Sequence, residues 1–270
     1  PARADIFIIA VPTPFKDGHK PDLAYVESAT KAIIPCLKEG DLVVLESTSP
    51  VGTTDMIYSR IMKERPELKG KVYVAHCPER VLPGNILREI VDNDRIIGGV
   101  DAASTAKAKG LYEKFVNGSI YTSTAKTAEL TKLVENSYRD VNIAFANELS
   151  MICHELDINV WEVIEFANRH PRVNILSPGP GVGGHCIAVD PWFIVHASPG
   201  LSKIIRMARE VNDSKPVHVI DRIKEKAARF KEPCIACLGL SYKANIDDLR
   251  ESPAVDIVKR LSDDKIGRLL

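Results

Sequence analysis

Short apolar runs alternate with segments of helical spacing through the first 124 residues, and that alternation leaves few folds open. Asp5-Ile-Phe-Ile-Ile-Ala-Val11 is apolar throughout, as a parallel strand covered on both faces requires. Residues 25–37 carry helical spacing, and 41–47 form the next apolar run. Residues 53–65 are helical again, with Thr53, Thr54 or Asp55 available as the cap. Further strands are expected over 71–76, 95–100 and 119–122, with a helix over 103–116. Strand and helix in strict turn predict an α/β domain built on a doubly wound parallel sheet.

The character changes after residue 124. Apolar residues at 130, 133, 134, 138, 141, 145, 149, 152 and 156 keep three-four spacing, which predicts one long central helix. Residues 208–230 are helical as well, and 233–242 open a second α/β unit. Three regions follow: 1–124, a Rossmann-like sheet domain; 125–231, a central helical domain; and 232–270, the start of a second Rossmann-like α/β domain. The chain enters a strand at once and stops soon after a new helix. The first βαβ unit of the sheet domain is therefore expected upstream of Pro1, and the last domain is expected to be cut short.

Lys plus Arg and Asp plus Glu both number 36, so no single-sign field marks a nucleic-acid or membrane partner. An anionic ligand must be held by a few placed groups. The six cysteines are scattered, which fits reduced thiols in the cytoplasm. Cys234 and Cys237 lie in Pro-Cys-Ile-Ala-Cys-Leu-Gly-Leu, which reads as a buried strand. Positions three apart on a strand face opposite ways, so a shared metal is not expected there. No apolar run reaches membrane-spanning length.

In parallel sheets ligands gather at the carboxyl ends of strands. Those ends read Val11-Pro-Thr-Pro14, Glu46-Ser-Thr-Ser-Pro50 and His76-Cys-Pro-Glu-Arg80. Each offers hydroxyls, a carboxylate or a guanidinium, although Ser and Thr beside Pro also form ordinary turns. On the central helix, Lys132, Asn136 and Arg139 share one face. They form either a solvated stripe or a cation and an amide converging on one oxygen. Pro178-Gly-Pro-Gly-Val-Gly-Gly-His-Cys-Ile-Ala-Val-Asp-Pro191 delivers Cys186 and, four residues later, Asp190 from a glycine-rich turn. Cys186 is either a presented nucleophile or a small residue beside a structural turn. Gly181-Val-Gly-Gly184 is not read as a dinucleotide phosphate loop, because no strand precedes it. Residues 239–252 form a Lys- and Arg-bearing loop before Pro253, either an anion site or a plain connector.

Together, in this order and spacing, these segments resemble the UDP-glucose/GDP-mannose dehydrogenase family over essentially the whole chain. The segments are Val-Pro-Thr-Pro, Glu-Ser-Thr-Ser-Pro-Val-Gly-Thr-Thr, Cys-Pro-Glu-Arg, Lys132 with Asn136, Ala144-Phe-Ala-Asn-Glu-Leu149, Gly-Val-Gly-Gly-His-Cys, and Lys243 with Asp-Asp-Leu-Arg-Glu-Ser. Residues 169–176 and 187–193 resemble the N-acetylhexosamine branch. The UDP-glucose branch has Phe-Pro-Lys-Asp where this chain has Ile-Ala-Val-Asp, and a second acid where this chain has Pro83. The resemblance implies NAD as cofactor and four-electron oxidation of the C6 alcohol of UDP-N-acetyl-D-mannosamine, or else of its N-acetylglucosamine isomer or UDP-glucose.

It implies Cys186 as the nucleophile of a thiohemiacetal and thioester, with Lys132 and Asn136 stabilising the oxyanion. Glu79, Asp190 and Thr48 would serve thioester hydrolysis. Thr13, Thr48 and Arg250 would contact NAD. Arg80, Val81, Lys132, Asn136, Arg139, His170, Arg172, Gly183, Tyr242 and Lys243 would contact the nucleotide sugar, with His170 and Arg172 alternatively capping a helix end. A homodimer through the central helix is implied too. Two other classes stay open: a two-electron β-hydroxyacid dehydrogenase, which needs no thiol, and a non-catalytic nucleotide-sugar-binding module.

Overall fold

A computed structural model describes residues 2–81, 85–243, 245 and 247–270. Chain contacts divide it into two units: residues 1–135 with 192–199, and residues 136–191 with 200–270.

The first unit is built on a five-stranded sheet. Its strands are β1 (Ile6–Ile9), β4 (Leu42–Leu45), β5 (Tyr73–His76), β6 (Arg95–Gly99) and β7 (Ile120–Thr124), side by side in that order. A small hairpin of β2 (Phe15–Lys16) and β3 (Lys20–Pro21) follows β1. Helices α1 (Ala24–Ile33), α2 (Thr53–Glu64), α3 (Ile86–Asp92) and α4 (Ala102–Tyr112) alternate with the strands. The α/β class is as expected. The pairings β1–β4, β4–β5 and β6–β7 are parallel, whereas β5–β6 is antiparallel, so the sheet is not parallel throughout.

β4 shows why an unbroken apolar run is needed. Val43 and Leu45 enter one apolar cluster with Phe7, Ile9, Val26, Ile57, Ile61 and Val74. Leu42 and Val44 enter another, with Ala75, Ile97, Ala108 and Tyr112. Alternation sends successive side chains to opposite faces, and both faces are covered. β1 differs from expectation. Phe7 and Ile9 are buried, but Ile6 and Ile8 are 37% and 53% exposed, because β1 is an edge strand with one face uncovered.

The long helix α5 (Ala125–Glu155) begins in the first unit and continues into the second. The second unit also holds α6 (Val160–Ala167), α8 (Lys203–Ala227) and α9 (Pro253–Asp263). α7 (Asp190–Ala197) starts in this unit at Asp190. β8 (Cys234–Ile235) pairs in parallel with β9 (Arg268–Leu269). Here the sequence reading needs correcting: β8 is two residues long and Cys234 is exposed, so the segment is not a buried strand. α9 starts as its sequence implies, with Pro253 first and the Ser252 hydroxyl accepting from Val255 N.

Candidate active site

The carboxyl ends of β1 and β4 are tied together by hydroxyls. Ser47 Oγ accepts from Val11 N and donates to Val11 O, both at 2.7 Å, and Thr13 Oγ1 donates to Thr48 O at 2.6 Å. After β5 comes Cys77, whose thiol burial pushes up to about 12, so it is inert. Glu79 follows and is firmly held. Its Oε1 accepts from Arg80 N at 2.6 Å and Val81 N at 3.1 Å, and its Oε2 pairs with Arg95 Nη1 at 3.0 Å. Arg95 is buried at the start of β6 and also donates to Ile90 O. The Arg80 guanidinium pairs with Glu135 at 2.7 Å, a contact the sugar-binding assignment did not anticipate. Pro83 lies outside the described residues.

The cap of α2 is another correction. No side chain from 53–55 caps this helix; Gly52, with φ of 96°, occupies the cap position. The buried carboxylate of Glu129, on α5, accepts from Gly52 N at 2.6 Å, Thr54 N at 2.7 Å and Thr54 Oγ1 at 2.6 Å. A helix N-terminus presents unpaired N–H groups that favour a negative charge. Burial raises the Glu129 pKa, against the lowering effect of those hydrogen bonds.

In the second unit the glycine-rich turn leads into α7. Cys186 is exposed, and its carbonyl accepts from Val189 N at 3.1 Å and Asp190 N at 2.9 Å. Asp190 is buried, and its Oδ2 accepts from Asn136 Nδ2 at 2.5 Å. The sequence nominated Asn136 from the central helix and Cys186 with Asp190 from the glycine-rich run, and the fold joins Asn136 to Asp190.

Gly183 has a different reason for being glycine than ligand approach. A Cβ there would lie 2.5 Å from Tyr242 Cβ and 2.6 Å from Glu251 O, so Tyr242 and Glu251 of the chain itself fill that space. Gly184 N donates to Arg250 O at 3.2 Å, fixing the same loop. Burial, with Asp248 and Cys186 nearby, raises the Tyr242 phenol. The Arg250 guanidinium is clamped on Asp248 at 2.7 Å, which holds that carboxyl at about 2. Lys132 is partly buried on α5, whereas Arg139, His170, Arg172 and Lys243 are exposed. His170 Nδ1 accepts from Arg172 N at 3.3 Å just beyond the end of α6, a local turn bond that caps no group of the helix, whose C-cap is Asn168.

Several polar groups carry the site without a local sequence signal. Arg95 and Glu129 act in the first unit. In the second, Asp140 pairs with Arg209 at 2.6 Å, and Asn147 meets Asn212 at 2.8 Å. Burial pushes the Asp140 carboxyl up, against the attraction of Arg209. Their partners lie 69 and 65 positions away, beyond the reach of any periodicity argument.

The first unit's strand ends fit the polar flank of a dinucleotide. Thr13 and Thr48 set oxygens at the carboxyl edge of adjacent parallel strands, where such ligands lie. The glycine-rich turn does not supply a phosphate loop, since no described strand precedes it between residues 168 and 190.

Three family models match the chain in order. Residues 1–116 match the NAD binding domain of the UDP-glucose/GDP-mannose dehydrogenase family, 126–214 its central domain, and 236–268 its UDP binding domain. The chain is 61% identical to an NDP-N-acetyl-D-galactosaminuronic acid dehydrogenase of Ralstonia nicotianae, covering 100% of this chain and 66% of that protein. It is 58% identical to a UDP-N-acetyl-D-mannosamine dehydrogenase of Campylobacter jejuni, covering 100% and 69% respectively. Among solved structures, the UDP-N-acetyl-mannosamine dehydrogenase Cap5O of Staphylococcus aureus superimposes with a TM-score of 0.90 at 46% identity. That match covers 100% of this chain and 65% of Cap5O. The chain thus spans about two thirds of the length of the relatives it matches.

Proposed function

The chain belongs to the UDP-glucose/GDP-mannose dehydrogenase family, and from that premise we propose that it forms the NAD-dependent catalytic part of a nucleotide-sugar 6-dehydrogenase acting on UDP-N-acetyl-D-mannosamine. The observation that carries this reading is the Cys186 turn: an exposed cysteine whose backbone carbonyl accepts from Asp190 N, with the Asp190 carboxylate accepting from Asn136. A two-electron alcohol dehydrogenase needs no thiol. An enzyme that carries the same carbon to the acid needs one to hold the aldehyde.

NAD, when bound, supplies the hydride acceptor for both oxidations. Thr13, Thr48 and Arg250 are the residues proposed to hold it. Lys132 and Asn136 stabilise the oxygen at C6 as the alcohol loses its proton. Cys186 Sγ then adds to the aldehyde carbon, giving a thiohemiacetal; loss of a hydride and the hydroxyl proton leaves the thioester. Water, oriented by Thr48 and Asp190 and deprotonated by Glu79, cleaves it to the uronic acid and the free thiol. Arg80, Val81, Arg139, His170, Arg172, Gly183, Tyr242 and Lys243 are assigned to nucleotide-sugar contact. The clamped side chain of Arg80 and the packed Gly183 are the weakest members of that set.

Pairing of two copies through α5 accompanies this reading. Tyr138, Phe145 and Ile152 are 71%, 55% and 47% exposed along the helix, an apolar stripe left uncovered among the described residues. The 61% identity to NDP-N-acetyl-D-galactosaminuronic acid dehydrogenases favours a second reading, in which the galacto epimer is the substrate.

A panel of UDP-N-acetylmannosamine, UDP-N-acetylgalactosamine, UDP-N-acetylglucosamine and UDP-glucose with the whole protein separates these. The manno sugar should give two NADH per acid formed. One NADH with free aldehyde would remove the thioester route, and no NADH from any sugar would favour a binding module. Cys186→Ser should abolish acid formation while sugar binding, read by calorimetry, survives.

A further inference from the structure

The glycine-rich turn is not held by its own residues alone. Gly179 N, at its start, donates to Asn147 Oδ1 on α5 at 2.8 Å. Asn147 Nδ2 donates to Asn212 Oδ1 on α8 at 2.8 Å. Asn212 Nδ2 donates to Asp140 Oδ1 at 2.8 Å and to Asp140 O at 3.1 Å. Asp140 Oδ1 also accepts from Arg209 Nη1 at 2.6 Å, and Arg209 pairs with Asp213 as well. Asp140, Asn147, Arg209 and Asn212 are all at most 1% exposed.

An amide has a donor end and an acceptor end, and either can point either way. An ionised carboxylate only accepts. Asp140 therefore turns the Asn212 amino group toward itself, which leaves Asn212 Oδ1 facing Asn147. That turns the Asn147 amino group away from the glycine-rich turn and its oxygen toward Gly179 N. α8 also meets the turn directly: a Cβ on Gly181 would lie 3.3 Å from Pro216 Cγ.

We infer that Asn147 and Asn212 form a directional amide relay, set by the buried Asp140–Arg209 pair, that positions the turn carrying Cys186. Asn147 and Asn212 are positioning residues; neither is assigned contact with substrate. The inference rests on the proposed role of Cys186 for its effect on turnover, but not for its effect on the turn.

Two readouts are taken on the whole protein: hydrogen exchange of the peptide containing Gly179, and acid formation from the nucleotide sugar. Asn147→Ala should speed that exchange at least tenfold. It should also lower kcat about 10–100-fold with KM changed less than threefold, the signature of a misplaced reacting group. Asn212→Ala should do the same to a lesser degree. Ser150→Ala, which removes the hydroxyl paired with Lys215 on the same two helices, should lose stability yet leave kcat in place.

Asn147→Asp keeps the acceptor for Gly179 but faces Asn212 Oδ1 with a second acceptor. Asn147→Asp should therefore speed Gly179 exchange as well, although an acceptor for Gly179 N is retained. Unchanged Gly179 exchange in both alanine variants would overturn the relay, and unchanged exchange in Asn147→Asp would overturn its direction. Faster exchange with unchanged kcat would overturn the positioning role. If the wild-type protein makes no acid, the functional reading falls, while the exchange comparison still decides the relay.

Discussion

The two units are held together by different chemistry. In the first, two apolar clusters flank the sheet, and their buried members are mostly Val, Leu and Ile. In the second, Asp140, Asn147, Arg209, Asn212 and Lys215 are buried between α5 and α8 and hydrogen-bonded to partners on the other helix. Apolar packing is non-directional and tolerates swaps that keep the volume. Buried hydrogen bonds are directional, and removing one partner leaves the other stranded. The difference teaches what each unit is suited to: the sheet sets broad strand ends for a large ligand, and the polar helix pair holds one turn in one orientation.

The contrast is broken most severely at Arg209. Arg209→Met leaves the Asp140 carboxylate buried without its cation, which should cost about 3–5 kcal/mol by urea unfolding. The double variant with Asp140→Leu removes both charges and should regain much of that loss. A cost below about 1 kcal/mol for the single variant would show that the second unit is held by apolar contacts like the first.

The sheet unit has buried polar groups as well, Arg95, Glu129 and His76 among them, and His76 sharpens the comparison. His76 is fully buried at the end of β5, and burial lowers its pKa from the usual 6.5 to about 4. A histidine with a lowered folded pKa binds its proton more readily when unfolded. Its contribution is therefore full above pH 6.5 and falls as pH drops from there toward 4. That lowering corresponds to about 3 kcal/mol between those limits. His76→Gln should flatten that part of the stability profile, and an equal slope in wild type and variant would remove His76 as its cause.

The same contrast explains what could be read without a structure. The apolar run of β4 named the sheet most plainly, because burial on both faces is written there as consecutive Leu and Val. The three-four spacing named α5, but not which side of it is inside. Leu130, Val134, Tyr138 and Phe145, all on the predicted stripe, are exposed, whereas Glu129, Ser137, Asp140 and Asn147 are buried. Periodicity finds a helix; the face it buries depends on partners far along the chain, here Gly52 and Thr54 for Glu129 and Asn212 for Asn147. Cys186, Asp190 and Glu79 were legible because strand ends and glycine-rich turns mark themselves. The Arg95 that grips Glu79 was not, since it sits inside an apolar strand and reads as a flank.

The smallest effect is expected where the sheet unit is most typical of itself. Ile97 is fully buried on β6 within the apolar cluster that contains Val44, Ala75 and Tyr112. Ile97→Val removes one methyl group and strands no polar atom, so its cost should be about 0.5–1.5 kcal/mol. Ile97 and Arg209 belong to separate packing networks, so Ile97→Val combined with Arg209→Met should be additive to within about 0.5 kcal/mol. Additivity supports two units stabilised independently, one by shape and one by hydrogen-bond direction. A coupling above about 1 kcal/mol would mean that the polar helix pair and the apolar sheet core share one cooperative network.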